Sequence, residues 1–260
     1  MSLKALSPSY YSRIQEASRR IPHNKKILDA GCSDGFFCFL NQSKGEVYGV
    51  DINPGDLRIA QTMNTTGHFS VAKLDSLPYP AEYFDIIVSI DVLEHLDDDI
   101  PAVKEFSRVI KKKGKLIIIV PQSNFPWTYD PLNYILKLFH RKLKIGMWGY
   151  GHQRLYTTDI LHRLLSQHGF KIIEERYLSH HLLGIIDNCY INSLIQPLVK
   201  SDPHNLAETK LDQETLRKRI TMQPPKFLTK IRDFLIKIDH QLFRNSKSSL
   251  EVLVVAEKDG

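Results

Sequence analysis

The chain has 260 residues, of which 42% are apolar and 25% charged, an ordinary composition for one globular domain with additions. Its three cysteines, an odd number without a CxxC pair, argue against a disulfide framework or a zinc site and favour a reducing, cytoplasmic location. The N-terminus has no long apolar core and no run approaches ~18 apolar residues, so we expect neither a signal peptide nor a membrane span.

The net charge of +6 is unevenly distributed along the chain. Residues 121–150 contain four Lys or Arg and one acid, and residues 179–249 contain eleven Lys or Arg and seven acids. These two segments hold the basic excess, because the rest of the chain is nearly neutral. Such a distribution bears on partners and solubility rather than on fold.

Apolar runs alternate with helical patterns from residue 25 to residue 121. The apolar runs predict five strands, at 25–30, 45–53, 68–75, 83–91 and 115–121. Helical spacing predicts three helices, at 36–43, 53–63 and 98–112. Acids at the start of the third helix and lysines at its end suit the helix dipole, and Gly114 is expected to stop it. This alternation predicts a parallel sheet with helices on both faces.

The second half of the chain is less regular. We expect a helix at 157–170 with an N-cap at Thr157 or Thr158, followed by strands at 171–178 and 250–258. The predicted fold class is therefore α/β, with a doubly wound, seven-stranded, mostly parallel sheet.

We expect a single domain over 1–260 with three additions. A helix within 1–24 should cover the sheet, an insertion at 121–150 follows the fifth strand, and a mostly helical insertion at 179–249 follows the sixth. The insertions are expected to form a lid or an interface.

Four aspartates stand at the ends of predicted strands, namely Asp29, Asp51, Asp75 and Asp91. Ligands of a parallel sheet bind beyond the carboxyl ends of its strands, so these side chains should line one crevice. Asp51 follows Gly31 by 20 residues, the spacing of the ribose-binding acid in dinucleotide folds. The first turn, however, is Asp-x-Gly-x-x-x-Gly, and an acid at its start suits an ammonium group better than a pyrophosphate.

Four stretches, taken in order, carry a resemblance to a known family: ILDAGCSDG, VYGVDIN, KLDSLPYPAEYFDIIVSIDVLEHL and GKLIIIVP. They resemble the motifs of the class I S-adenosylmethionine-dependent methyltransferases, most of all the small-molecule branch that includes quinone and natural-product enzymes. The resemblance is strong over 25–121 and looser over 151–178 and 250–258. It implies a Rossmann-like methyltransferase fold, with S-adenosyl-L-methionine as cofactor and S-adenosyl-L-homocysteine as its product.

The resemblance also implies which residues bind the cofactor: Asp29, Gly31, Cys32, Gly35, Asp51, Ile52, Asp75, Ser76, Leu77, Ile90 and Asp91. The first three would hold the methionine moiety and its ammonium group, while Gly35 would let the backbone pass close to the cofactor. Asp51 would bind the ribose hydroxyls and Ile52 would pack on the adenine. Asp75, with Ser76 and Leu77 beside it, would receive the adenine amino group. Ile90 and Asp91 would line the floor near the sulfonium, and Ser33 departs from the glycine that many members have there.

Local explanations of the same residues stay open. Asp29 could cap the turn that follows it, and Asp51 could form an Asx-turn with Asn53. Asp91 with Glu94 could begin a short helix. The acids at 97–99 fit a solvated helix start better than a magnesium site, so no metal is expected.

A second motif, GYGHQRLYTTDILHRLL at 149–165, resembles a Gly-His-x-Arg-x-Tyr-Thr sequence found before the penultimate helix of similar methyltransferases. It implies a substrate-side location for His152, Arg154 and Tyr156, to which we add His95 and Tyr11, or Tyr10 in place of Tyr11. His152 is the best candidate for a general base, because imidazole titrates near neutrality. The alternative is that His152 only hydrogen-bonds the loop closed.

The segments 125–148 and 224–243 combine large apolar residues with basic ones. The second has helical apolar spacing opposite a basic face. Three interpretations compete: a lid packed over the active site, a homodimer interface, and an amphipathic surface on anionic lipid. Asp233 and Asp239 weaken the third.

The expected function is methyl transfer to a small-molecule or lipid-like acceptor, at oxygen. The alternatives are membrane-surface methylation of a quinone or lipid-linked precursor, and a non-catalytic, cofactor-binding regulatory protein. Nucleic acid is a rival partner because the pI is ≈ 9.1. It is disfavoured, since Asp91-Val92-Leu93-Glu94 stands where nucleic-acid base methylators carry Asn/Asp-Pro-Pro-Tyr/Phe.

Overall fold

A computed structural model describes residues 7–64, 66–149, 151–190 and 225–260. Seven strands form one sheet: β1 Lys25–Ala30, β2 Gly45–Asp51, β3 His68–Val71, β4 Phe84–Ile90, β5 Ile110–Pro121, β6 Phe170–Leu178 and β7 Glu251–Lys258. Their spatial order is β3-β2-β1-β4-β5-β7-β6. Every pairing is parallel except the two that β7 makes with β5 and β6. The predicted seven-stranded, mostly parallel sheet is confirmed.

The helices lie on both faces of this sheet. The described helices are α1 Pro8–Arg19, α2 Phe36–Asn41, α3 Pro54–Met63, α4 Ile100–Val109, α5 Pro131–Leu136, α6 Thr158–Ser166, α7 His181–Tyr190 and α8 Lys226–Leu242. Successive strand side chains point to opposite faces. Accordingly, Leu28 packs in one buried cluster with Phe106 and Leu165, whereas Ile27 packs in the other with Phe36. Both faces are therefore covered, which explains why the strands are almost continuously apolar.

Two helices begin where the sequence places an N-cap. The Thr157 side chain accepts a hydrogen bond from the Ile160 N–H at the start of α6, 3.2 Å away. The Asn53 side chain accepts one from the Gly55 N–H at the start of α3, 2.8 Å away. Each cap satisfies a backbone donor that the helix itself leaves unpaired.

The predicted helix at 98–112 is too long. α4 ends at Val109, and the backbone at Ile110 is already extended and paired with Phe84 of β4. Lys113 has a φ of +61° and lies with Gly114 inside β5, near a shift in its register with β4. The burial of Ile110 sets the boundary between α4 and β5. The lysines that follow therefore do not lie at the carboxyl end of a helix, where they were predicted.

β3 is also shorter than predicted. It ends at Val71, and the chain from Leu74 to Asp75 forms a turn instead of extending the strand. Only Tyr48–Asp51 of β2 pairs with it, in a four-residue ladder at the edge of the sheet.

The insertion at 179–249 contributes α7 and α8, while its residues 191–224 lie outside the described part of the chain. α1, α7 and α8 contact one another, and α1 also contacts β4 and β6. Asp239 of α8 is fully buried and accepts hydrogen bonds from the backbone N–H groups of His180, Leu182 and Leu183, at 2.7, 3.0 and 3.2 Å. A side chain of α8 therefore caps α7.

The packing of α8 includes two buried charged side chains beside half-buried apolar ones. Arg232 and Asp239 are buried, and the Arg232 guanidinium lies 3.2 Å from the centre of the Tyr11 ring. Four apolar side chains of α8 are 52–67% exposed: Phe227, Ile231, Phe234 and Leu242. Among the described residues, no helix has the length and apolar character needed to cross a membrane.

We expect Asp239→Ala to lower the free energy of unfolding by about 2–4 kcal/mol, because three backbone donors lose their acceptor inside the protein. Urea denaturation monitored by circular dichroism measures the change. Lys237→Ala is the matched control, since Lys237 is an exposed charged residue on the same helix and should cost less than about 1 kcal/mol. Equal effects of the two substitutions would contradict the capping role.

Candidate active site

The carboxyl ends of β1, β2 and β4 meet at one edge of the sheet, because β1 pairs in parallel with both of its neighbours. A turn from Gly31 to Gly35 leads from β1 into α2 along this edge. The N–H groups of Gly31 and Cys32 both donate to the Val50 carbonyl, at 2.8 and 3.0 Å, which ties the turn to β2. Gly31 has a φ of +89°, a conformation that favours glycine.

Gly35 serves the packing of two helices. Its φ is +75°, and a Cβ there would lie 2.6 Å from the Ala60 Cβ and 2.9 Å from the Ala60 Cα. Gly35 therefore lets α2 approach the backbone of α3, whereas the resemblance implies close approach to the cofactor.

Asp29 is a buried carboxylate near the end of β1, only 3% exposed. The Cys38 thiol donates to its Oδ2 at 3.4 Å. Burial is the largest of the causes that raise the pKa of Asp29 to about 7; the Cys38 thiol opposes the shift, and the charges of Asp51 and Asp34 add to it. A buried carboxylate without a cation beside it is unfavourable in its charged form, and a bound ammonium group would supply the positive charge.

Asp51 at the end of β2 holds two backbone groups. Its Oδ2 accepts from the Ser33 N–H at 2.8 Å and its Oδ1 from the Asn53 N–H at 2.9 Å. The expected Asx-turn is present, and each oxygen keeps a lone pair for a further donor. The neighbouring Ile52 side chain is 65% exposed, an apolar group in open solvent beside a polar one.

The three residues predicted after β3 divide into two kinds. Asp75 and Ser76 are exposed, so they remain free to meet a ligand. Leu77 is buried in the core, and its N–H donates to the Glu105 carboxylate at 3.0 Å. Leu77 therefore packs in the core, and its contact with a cofactor stays a prediction.

Asp91, just beyond β4, has a φ of +54° and pairs with Arg13 of α1, with 2.6 Å between Nη1 and Oδ2. The same Arg13 nitrogen lies 3.3 Å from the Glu251 carboxylate of β7. Burial raises the pKa of Glu251 to about 8, although Arg13 opposes the shift. Sequence reasoning missed Arg13 and Glu251, because only the fold brings these distant segments together.

Tyr10 is better placed than Tyr11 to face the crevice. The Tyr10 ring stacks on Phe36 with 6.2 Å between centroids, and the pKa of Tyr10 is raised by burial and by nearby Asp34. Tyr11 instead faces Arg232 of α8. Since the two tyrosines are adjacent on α1, only the orientation of the helix separates them.

Arg154 and Tyr156, which the motif assigns to the substrate side, both bind the segment before α4. Arg154 donates to the carbonyls of Leu96 and Asp97, at 2.9 and 2.5 Å, and its Nη1 lies 2.8 Å from Asp99. Tyr156 is fully buried, and its hydroxyl donates to Asp99 at 2.6 Å. These side chains fix the loop before α4, and their contacts with a substrate stay a prediction.

His152 and His95 lie together, with 5.0 Å between ring centroids. Burial lowers the pKa of His152, and the proximity of His95 lowers it further. Glu94, in the 3₁₀ turn Leu93–His95, is fully buried, and burial raises the pKa of its carboxyl well above the usual range. Its place within the apolar stretch Val92–Leu96 was the only sequence signal of this burial.

Comparison with known proteins gives consistent matches. Residues 28–118 match a family described as a methyltransferase domain. An uncharacterized protein of Methanocaldococcus jannaschii is 32% identical over 125 residues, which cover 47% of this chain and 53% of that protein. The chloroplastic tocopherol O-methyltransferase of Arabidopsis thaliana is 29% identical over 167 residues, 58% of this chain and 45% of the relative. The chain thus spans about half the length of these curated relatives.

A solved structure shares the whole fold. The crystal structure of a SAM-dependent methyltransferase from Archaeoglobus fulgidus matches with a TM-score of 0.57 and 14% identity, over 98% of this chain and 94% of that one. The sheet order and this likeness define a Rossmann-like methyltransferase fold. The methyltransferase domain matched over residues 28–118 and these relatives are consistent with the resemblance of this chain to the class I S-adenosylmethionine-dependent methyltransferases.

We expect Gly35→Ala to lower the free energy of unfolding by about 2–4 kcal/mol, because a left-handed backbone and a contact with Ala60 are both unfavourable. Gly151→Ala is the control, since Gly151 has a similar φ of +77° but its nearest atom would be 4.0 Å away. It should cost about 1–2 kcal/mol. Thermal and urea unfolding would compare them, and equal costs would show that the contact with α3 is unimportant.

Proposed function

We propose that this protein transfers a methyl group from S-adenosyl-L-methionine to an oxygen of a small-molecule or lipid-like acceptor. The observation that carries the proposal is the arrangement around the turn after β1. It combines a buried carboxylate at Asp29, a second carboxylate at Asp51 and an exposed apolar side chain at Ile52. The match of residues 28–118 to a methyltransferase domain supports the reaction, and a tocopherol O-methyltransferase among the relatives supports oxygen as the acceptor atom.

The groups present fit the cofactor. Asp29 would hold the ammonium group, since the donor that it accepts from within the described part of the chain is a thiol, which is a weak one. Asp51 would accept from the ribose hydroxyls with its remaining lone pairs. An adenine ring over Ile52 would remove exposed apolar surface from water.

The chain must then position the acceptor and exclude water. When bound, the cofactor supplies a methyl group already activated on a sulfonium sulfur. A hydroxyl acceptor also has to lose a proton, and the half-buried imidazole of His152 lies at this edge of the sheet to receive it. Tyr10, Asp91 and His95 are the other side chains that we assign to this side of the crevice.

We expect calorimetry to show that S-adenosyl-L-methionine binds and that the affinity rises roughly fivefold to tenfold from pH 6 to pH 7.5. The reason is that Asp29 ionises near 7 in the free protein, and only the carboxylate form attracts the ammonium group. The groups that face Asp29 are Cys38, Asp51 and Asp34, none of which is a cation. Asp29→Asn should bind weakly and without this pH dependence.

Asp34→Asn is the control, because Asp34 lies in the same turn but is less buried, and it should keep the pH dependence. Asp51→Ala should weaken binding at every pH. Absence of binding by the unmodified protein, or an unchanged pH trend in Asp29→Asn, would refute the cofactor assignment. Turnover of labelled cofactor with metabolite extracts separates an enzyme from a non-catalytic cofactor-binding protein.

A second candidate function is methylation at a membrane surface, favoured by the surface of the insertion after β5. Eight large apolar side chains are exposed among the described residues of this insertion: Trp127, Leu132, Tyr134, Ile135, Leu138, Phe139, Leu143 and Ile145. Basic residues of the same insertion lie among them in the sequence, at positions 137, 141, 142 and 144. Apolar and basic groups together suit the interface of an anionic bilayer.

We expect the protein to co-sediment with vesicles that contain phosphatidylserine, and less with neutral ones. Leu138→Glu combined with Phe139→Glu should reduce the bound fraction severalfold, because both side chains would have to enter the interface. Ile173→Glu is the control, since Ile173 is an exposed apolar residue on β6, outside this insertion. Sedimentation independent of lipid charge and of both substitutions would exclude this function.

A further inference from the structure

A cluster of three side chains beyond β4 is not used by the cofactor assignment. Glu94 and His95 come from the 3₁₀ turn after β4, and His152 comes from the loop before α6. One carboxylate oxygen and one ring nitrogen from each histidine all lie within 4.8 Å of one another. The Glu94 and His95 members are 3.9 Å apart.

The Glu94 carboxylate is the independent sign that the cluster receives a ligand. The side chain is 0% exposed, and neither of its oxygens has a hydrogen-bond partner among the described residues. A buried carboxylate is unfavourable unless it is paired, hydrogen-bonded or bound to a metal. The nearby cation Arg13 makes its ion pairs with Asp91 and Glu251 instead.

The backbone around the cluster is held in place. The Gln153 N–H donates to the Glu94 carbonyl at 2.8 Å, which joins the loop of His152 to the 3₁₀ turn. Arg154 adds its contacts with the carbonyls of Leu96 and Asp97. A hydrogen bond with the backbone of Met147 also acts on His152, and outer contacts of this kind orient metal-binding imidazoles.

We propose that Glu94, His95 and His152 bind one divalent cation of the zinc type. Two imidazoles and one carboxylate are the donor set of zinc sites that keep a coordination position open, whereas magnesium prefers oxygen ligands. With metal–ligand bonds of about 2.0–2.2 Å, the donor atoms of a tetrahedral site lie roughly 3.3 Å apart. The three donor atoms must therefore move closer together than their present spacing of up to 4.8 Å when an ion binds. The His95 side chain, 39% exposed, has room to rotate toward the other two.

The cation would change how the acceptor is activated. With its lone pair bound to the ion, His152 is no longer a free base, and a hydroxyl on the open position would lose its proton more easily. This consequence rests on the proposed methyl transfer, but the binding site itself does not. It also replaces the sequence-based expectation that no metal is bound, which concerned the acids at 97–99.

Titration of the metal-free, tag-free full chain with Co²⁺ tests the site through visible absorption, and calorimetry with Zn²⁺ gives the stoichiometry. We expect one ion per chain and no competition from millimolar Mg²⁺. Glu94→Gln and His95→Ala should each weaken binding at least tenfold. His162→Ala is the control, because His162 lies 2.8 Å from Glu175 in a histidine–carboxylate pair elsewhere and should leave binding unchanged.

The outcomes separate this inference from the proposed function. Binding that Glu94→Gln and His95→Ala leave unchanged, or no binding at all, overturns the metal site even if methyl transfer is observed. Specific binding without methyl transfer keeps the site and refutes the function. If Glu94→Gln fails to fold by circular dichroism, His95→Ala alone decides, since that side chain is partly exposed.

Discussion

The parallel pairing of β1 with β2 on one side and β4 on the other is the constraint on which the rest of the site depends. It brings the carboxyl ends of three strands to one edge, where the chain order reverses and the covering segments separate. The turn after β1 can follow that edge because Gly31 and Gly35 accept positive φ angles. The residues that we assign to cofactor and acceptor all lie near this edge.

The same constraint concentrates acidic groups where little water reaches them. Asp29, Glu94 and Glu251 are buried, and their pKa values are raised mainly by that burial. Because their protonated forms favour folding, the contribution of these groups to stability is fully present below the unfolded pKa values near 4. This contribution is lost as the pH rises through the folded pKa values, about 7 for Asp29 and about 8 for Glu251. The ligand-free protein carries this electrostatic strain at the edge that binds ligands.

Local signals predicted the sheet, the turn and the acids at strand ends, because each depends on short apolar runs and glycine spacing. They failed where contacts between residues distant in sequence determine the local structure. Pairing of Ile110 with Phe84 ended α4 early, and the cap of α7 comes from Asp239, which is distant in sequence. Arg154 and Tyr156 were placed at the crevice by motif, yet both bind the loop before α4, and no periodicity could have shown that.

The long insertion leaves and returns to the sheet at a single rung, since Leu178 of β6 pairs with Glu251 of β7. The sheet register is therefore independent of how much chain lies between them, and each doubling of a flexible loop costs only about 0.6 kcal/mol. A whole segment can therefore be exchanged at this position without a change in the sheet. Recombination there could exchange the covering helices between lineages, and with them the range of accepted molecules, while the half built from β1 to β4 stays intact.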